Sequence, residues 1–129
     1  MWNLLLVGTG GGLGAMLRYG ISTMMKAWFP GYIGAGTLIV NVIGSLAIGY
    51  VLGGPHDSKS VAESIRLFFV IGVLGGLTTF SSLAYETFFI ANNPGGGIAV
   101  SLGHMTANVL LGLVAVWLGA YLARPIPIA

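Results

Sequence analysis

The chain has 129 residues, of which 56% are hydrophobic and 6% charged, with a net charge of +2 and a mean hydropathy of +0.94. A soluble domain carries about a quarter charged residues, so this composition excludes an ordinary water-covered surface. The basic residues are scattered rather than clustered, which excludes a nucleic-acid face, and there is no cysteine, which excludes disulfides and thiolate metal sites.

Four apolar stretches stand out, at residues 4–25, 33–53, 67–91 and 98–123. Each reaches the ~20 residues that a helix needs to cross a hydrocarbon layer of ~30 Å. Only two charges, Arg18 and Glu86, fall inside them. The expectation is an all-α membrane protein, a single four-helix transmembrane domain over 1–129 with short connections.

Helix 1 opens on "MWN", without the basic start of a cleavable signal, and "GTGGGLG" then interrupts the apolar run. Gly10, Gly12 and Ala15 fit a dinucleotide fingerprint. That fingerprint needs a strand before it and an acid about 20 residues on, whereas the first acid here is Asp57. The glycines read instead as packing surfaces. Gly8/Gly12, Gly10/Gly14, Gly49/Gly53 and Gly72/Gly76 are each four apart, the spacing that brings helix backbones together. An oligomer is expected, with the same chain or another as partner.

In helix 2, Thr37, Asn41 and Ser45 recur at every fourth position and form one polar stripe. In helix 4, Ser101, His104, Asn108 and Gly112 line a similar face, and in helix 3 Thr79, Ser82 and Glu86 share one. Single hydroxyls of this kind are interhelical glue, worth roughly 0.6 kcal/mol each. Three aligned stripes are more economically read as a water- or ion-accessible pathway. They offer donors rather than anions, and Arg18 adds the one charge of helix 1, chemistry that suits a small anion.

Helix 3 carries "GGLTTFSSLAYE" at 75–86, between apolar runs. Gly75 and Gly76 followed by Thr78 and Thr79 predict an unwound segment at mid-membrane. Carbonyls freed there are tolerated only when buried or capturing a cation. The helix restarting near Phe80 points its positive end at the same centre. The phenyl edge, slightly positive, faces an anion favourably.

Both termini lie on one side, which receives Lys59, Arg66 and Arg124, against Lys26 and a leaning Arg18 on the other. This bias is weak. Insertion in one orientation and insertion in both, which would permit an antiparallel dimer, both stay open. Trp2, Trp28, Phe29, Tyr32, Trp117 and Tyr121 read as interfacial aromatics near span ends.

"GGLTTFSS", "GTLIVNVIGS" and "GGGLGAMLRY" together resemble the Fluc (CrcB) fluoride ion channel family, over essentially the whole chain. The resemblance implies a channel rather than an enzyme, a multi-pass protein of the cell (inner) membrane that exports fluoride passively. It implies a dual-topology antiparallel homodimer with two pores, a heterodimer with a paralogue being the alternative. It also implies a structural sodium ion at the dimer centre, held by carbonyls that match those of Gly75 and Thr78. The fluoride pathway is matched by Asn41, Phe80, Arg18, His104, Asn108 and Glu86. Thr37, Ser81 and Ser82 join it as neighbouring hydroxyl donors. The chain departs from the family pattern at Leu83, where a second phenylalanine is usual, and at Gly112, where a hydroxyl is frequent. Two other readings stand beside this one: a small proton-coupled exporter of cationic drugs, for which Glu86 is the one candidate carboxylate, and a non-transporting assembly subunit.

Overall fold

A computed structural model describes residues 1–53 and 63–124. Lys59, which enters the charge count across the membrane, and Asp57, the first acid of the chain, lie outside the described residues. The chain forms helix 1 (Trp2–Trp28), helix 2 (Ala35–Leu52), a third span (Glu63–Asn92) and helix 4 (Ile98–Leu122), with no strand among the described residues. Even the shortest, the 18-residue helix 2, extends about 27 Å at 1.5 Å per residue. All four are long and apolar enough to cross a membrane.

The helix ends follow from local chemistry. Helix 1 stops at Phe29, whose N–H reaches the Met25 carbonyl at 2.8 Å and whose own backbone is non-helical at φ −128°, ψ 66°, because Pro30 disfavours helical geometry in the residue before it. Gly34, at φ +90°, supplies the left-handed turn into helix 2, a conformation that side chains other than glycine's resist. Between the third span and helix 4, the turn is closed by Gly97 donating to Ile90 at 3.0 Å.

The third span is two half-helices. Helix 3a (63–77) is wide-turned, with π geometry over Arg66–Leu74, and regains α geometry at Gly75–Leu77. Helix 3b is Phe80–Asn92. Helix 3a packs chiefly on helix 1, helix 3b on helix 4, and helix 2 chiefly on helix 4.

Glycines set these distances. A Cβ at Gly72 would lie 2.9 Å from the Gly10 Cα, one at Gly76 3.0 Å from the Gly11 Cα, and one at Gly14 2.8 Å from the Leu77 nitrogen. Gly49 and Gly53 abut Val116 and Ala120 of helix 4 in the same manner. Gly8 and Gly12, by contrast, face open space. With backbones this close, little apolar side chain is enclosed and most large hydrophobic residues point outward, as lipid-facing helices require. The buried interior includes Thr37, Thr79, Ser101, His104 and Asn108.

Candidate functional site

The break in the third span lies at Thr78 and Thr79, which are extended at φ −77°, ψ 154° and φ −154°, ψ 119°. The sequence placed the unwinding over 75–78. Gly75 is instead helical at φ −64°, ψ −37°, and Gly76 lies in the seam with helix 1. The pair of glycines serves close packing, and the chain unwinds only after it. Phe80 restarts the helix as expected.

Thr79 caps helix 3b. Its Oγ1 accepts from the Ser82 N–H at 3.2 Å and lies 3.1 Å from the Ser82 hydroxyl and 3.3 Å from that of Ser81. Its own N–H donates to the Asn41 Oδ1 at 2.9 Å. In an unbroken helix the Thr79 N–H would serve the Gly75 carbonyl, and the Ser82 N–H that of Thr78. Both donors are diverted, so the carbonyls of Gly75 and Thr78 lose the partners that a regular helix would give them.

From this clamp a polar track runs towards the 29–34 connection. The Asn41 Nδ2 donates to the Asn108 Oδ1 at 3.0 Å and to the Thr79 carbonyl at 3.4 Å, while the Asn108 Nδ2 donates to the His104 carbonyl at 3.1 Å. The carboxamide of Asn41 is thereby fully engaged with protein groups, and an anion reaching its N–H protons displaces one of these bonds. One turn along, Thr37 donates to the Glu86 Oε1 at 2.7 Å. The Glu86 Oε2 lies 3.3 Å from the His104 Nε2. That approach is close enough for an ion pair, but it lacks hydrogen-bond alignment, so this oxygen and both ring nitrogens have no hydrogen-bond partner among the described residues. Gly34 lies directly over the pair, and a side chain there would run into the His104 ring.

The track opens at both ends. A vestibule of about 750 Å³ is lined by Lys26, Thr37, Ser81, Ser82, Tyr85 and Glu86, among others. A groove of about 450 Å³ is lined by Asn41, Ser45, Thr78, Phe80, Leu83 and Gly112, among others. Thr37 and Asn41 thus stand at the inner edges of the two openings, and one helical turn of about 6 Å separates them.

Most of the residues singled out in the sequence meet here. Arg18 does not: it is half-buried in helix 1 and lines neither opening. Phe80 is 80% exposed at the rim of the groove, whereas Leu83 is 4% exposed and forms its wall. The stripes did not reveal the contact of Glu86 with His104, nor the bond from the Ser101 hydroxyl to the Thr87 carbonyl at 2.6 Å. A signal was available. Glu86 and His104 stand nine residues either side of Gly95, and a tight helical hairpin brings equidistant residues together.

The family described as "CrcB-like protein, Camphor Resistance (CrcB)" matches residues 5–120. The chain is 41% identical to a protein of Clostridium perfringens over 93% of its own length and 92% of the relative's. It is also 41% identical to one of Roseiflexus sp. over 97% and 99%, and 44% identical to one of Thermus thermophilus over 89% and 88%. All three relatives are named "Fluoride-specific ion channel FluC".

Proposed function

The chain belongs to the CrcB family, and from that membership we propose that it is a fluoride-selective channel of the membrane it spans. The observation that carries the reading is the hydrogen-bonding track between vestibule and groove, with a single helical turn between the openings. Fluoride is small and strongly hydrated, so crossing that turn requires donors in place of water. Thr37, Asn41, Asn108, Ser81 and Ser82 carry such donors. Lys26 at the vestibule wall raises the local anion concentration by its charge.

Two finer elements belong to the same reading. The functional unit is an antiparallel homodimer with two pores, in which the outward-facing groove of each copy is closed by the other. A sodium ion sits at its centre, bound by the carbonyls of Gly75 and Thr78 from each copy, four oxygens in all. The donor set fits: both carbonyls lack their helical partners, and Gly75 is exposed, with no atom nearer to its missing side chain than the Val70 oxygen at 4.0 Å. A bound cation there also lowers the cost of an anion crossing nearby.

The test is efflux from proteoliposomes, followed with a fluoride electrode and, in parallel, a chloride electrode. Fluoride should leave rapidly and chloride should stay. Equal release of both, or none, overturns the proposal. The cationic-drug exporter requires a carboxylate free to exchange a proton for a cation, and Glu86 is already held by Thr37 and set against His104.

A further inference from the structure

Ser45 completes the polar stripe of helix 2, one turn beyond Asn41, yet no hydrogen bond ties it to the track. It lines the groove of about 450 Å³, whose other polar side chains are Asn41, Thr78, Thr79 and Asn108. Those four have few donors left. Both N–H protons of Asn41 are taken, by the Asn108 Oδ1 and the Thr79 carbonyl. The Thr78 hydroxyl donates to the Leu74 carbonyl at 3.0 Å. The Thr79 hydroxyl lies between those of Ser81 and Ser82, at 3.3 and 3.1 Å. Asn108 donates to the His104 carbonyl at 3.1 Å, and its remaining N–H belongs to a residue only 4% exposed. Ser45 is half-buried, and its hydroxyl has no hydrogen-bond partner among the described residues.

The register of helices 2 and 4 shows what that hydroxyl faces. The two helices run parallel and meet at every fourth residue: Asn41 at Asn108, Ser45 at Gly112, Gly49 at Val116 and Gly53 at Ala120. At the first of these levels two carboxamides bond to each other, and at the last two the chains abut. The level of Ser45 is the exception. A Cβ built on Gly112 would lie 3.4 Å from the Ser45 Oγ and would meet no other atom outside its own stretch of helix. The side chain that helix 4 omits therefore leaves a space bordered by one hydroxyl. Beyond it the lining turns to Ile48 and Val116, so Ser45 is the last polar side chain of these two helices in the groove. An unbonded hydroxyl at membrane depth is costly, and a ligand that accepts from it removes that cost.

We propose, resting on the fluoride-channel reading, that Ser45 is a fluoride-binding residue of the groove. Its hydroxyl donates to the ion about 6 Å from Asn41, in the space that Gly112 leaves open. There it replaces one water of hydration. At Asn41 the ion must displace a bond within the protein, whereas at Ser45 it displaces none. Ser45 thus holds the ion between the open groove and the carboxamide.

The test is fluoride efflux from proteoliposomes made with the wild type, Ser45→Ala, Ser45→Thr and the double variant Ser45→Ala/Gly112→Ser, each with a thermal melt. Ser45→Ala should slow efflux about tenfold, the value of one hydrogen bond to a charged group. Its melting temperature should not change, because the hydroxyl it removes has no partner among the described residues. The double variant returns a hydroxyl to the same space from helix 4 and should recover most of the lost rate. Ser45→Thr keeps the hydroxyl and should conduct faster than Ser45→Ala, whether or not serine is accommodated at 112. Efflux from Ser45→Ala at the wild-type rate overturns the proposal. So does a slow Ser45→Ala that neither the double variant nor Ser45→Thr improves, or one whose melting temperature falls in step. A wild type that releases no fluoride refutes the channel reading and this assignment together, whereas a conducting wild type indifferent to Ser45→Ala refutes this assignment alone.

Discussion

Asn41 grips Thr79 by both of its backbone polar groups. The Oδ1 accepts the Thr79 N–H at 2.9 Å while the Nδ2 reaches the Thr79 carbonyl at 3.4 Å. A side chain of helix 2 thus supplies what the break in the third span removes, and it does so without leaving an orphaned amide in the membrane.

Asn41→Asp keeps the acceptor for the Thr79 N–H but loses both donated bonds and adds a charge that repels anions. Fluoride efflux should fall to the level of empty liposomes, with the protein still folded. Each acceptor left without a donor costs about 1–3 kcal/mol, so the unfolding midpoint should drop measurably. Efflux at the wild-type rate would place the pathway elsewhere.

Phe80→Ile should stop efflux with little change in monomer stability, within about 0.5 kcal/mol, because the ring is 80% exposed. Leu83→Phe should leave efflux equal or raise it, since Leu83 borders the open groove. Thermal melts run beside the efflux assay separate the two kinds of effect.

Gly14→Ala and Gly12→Ala form a matched pair on one helix. The methyl at 14 meets the backbone of helix 3a, whereas the methyl at 12 meets nothing. Gly14→Ala should cost about 1–3 kcal/mol by overpacking, measured as loss of the monodisperse species after heating. Gly12→Ala should not destabilise the monomer.

A tag at the C-terminus should be labelled from both faces of intact cells, and one or two added lysines should drive it to a single face. Labelling from the inside alone would remove the antiparallel dimer and the two-pore arrangement with it.

Replacing sodium by N-methylglucamine should lower the melting temperature of the dimer while leaving that of any monomer unchanged, since the ion is bound between copies. A midpoint indifferent to sodium would refute the four-carbonyl site.

The spans and the polar stripes were legible because hydropathy and a repeat of four survive any detail of packing. Thr37, Asn41 and Ser45 fall on one face whatever lies opposite. The position of the break was less legible: Gly75 and Gly76 carry the composition of a hinge, and only the backbone of Gly11 against Gly76 assigns the second of them to a seam. The wide turns at Arg66–Leu74 have no local signature, being set by how helix 3a lies on helix 1. Arg18 was expected in the pathway from its charge and from the resemblance; in the single chain it lines neither opening, and neither signal fixes the direction of a helix face.

The division of the third span between two neighbours also dictates an order of assembly. Helices 1 and 2 leave the ribosome first, yet helix 1 packs chiefly on 3a and helix 2 on helix 4. The glycine-rich face of helix 1 therefore waits in lipid for residues 63–77, and the Asn41 carboxamide waits for Thr79 and then Asn108. A nascent chain halted after the second span holds an unsatisfied amide and a bare backbone ridge; residues 63–77 cover the ridge, and the amide is fully satisfied only when helix 4 brings Asn108.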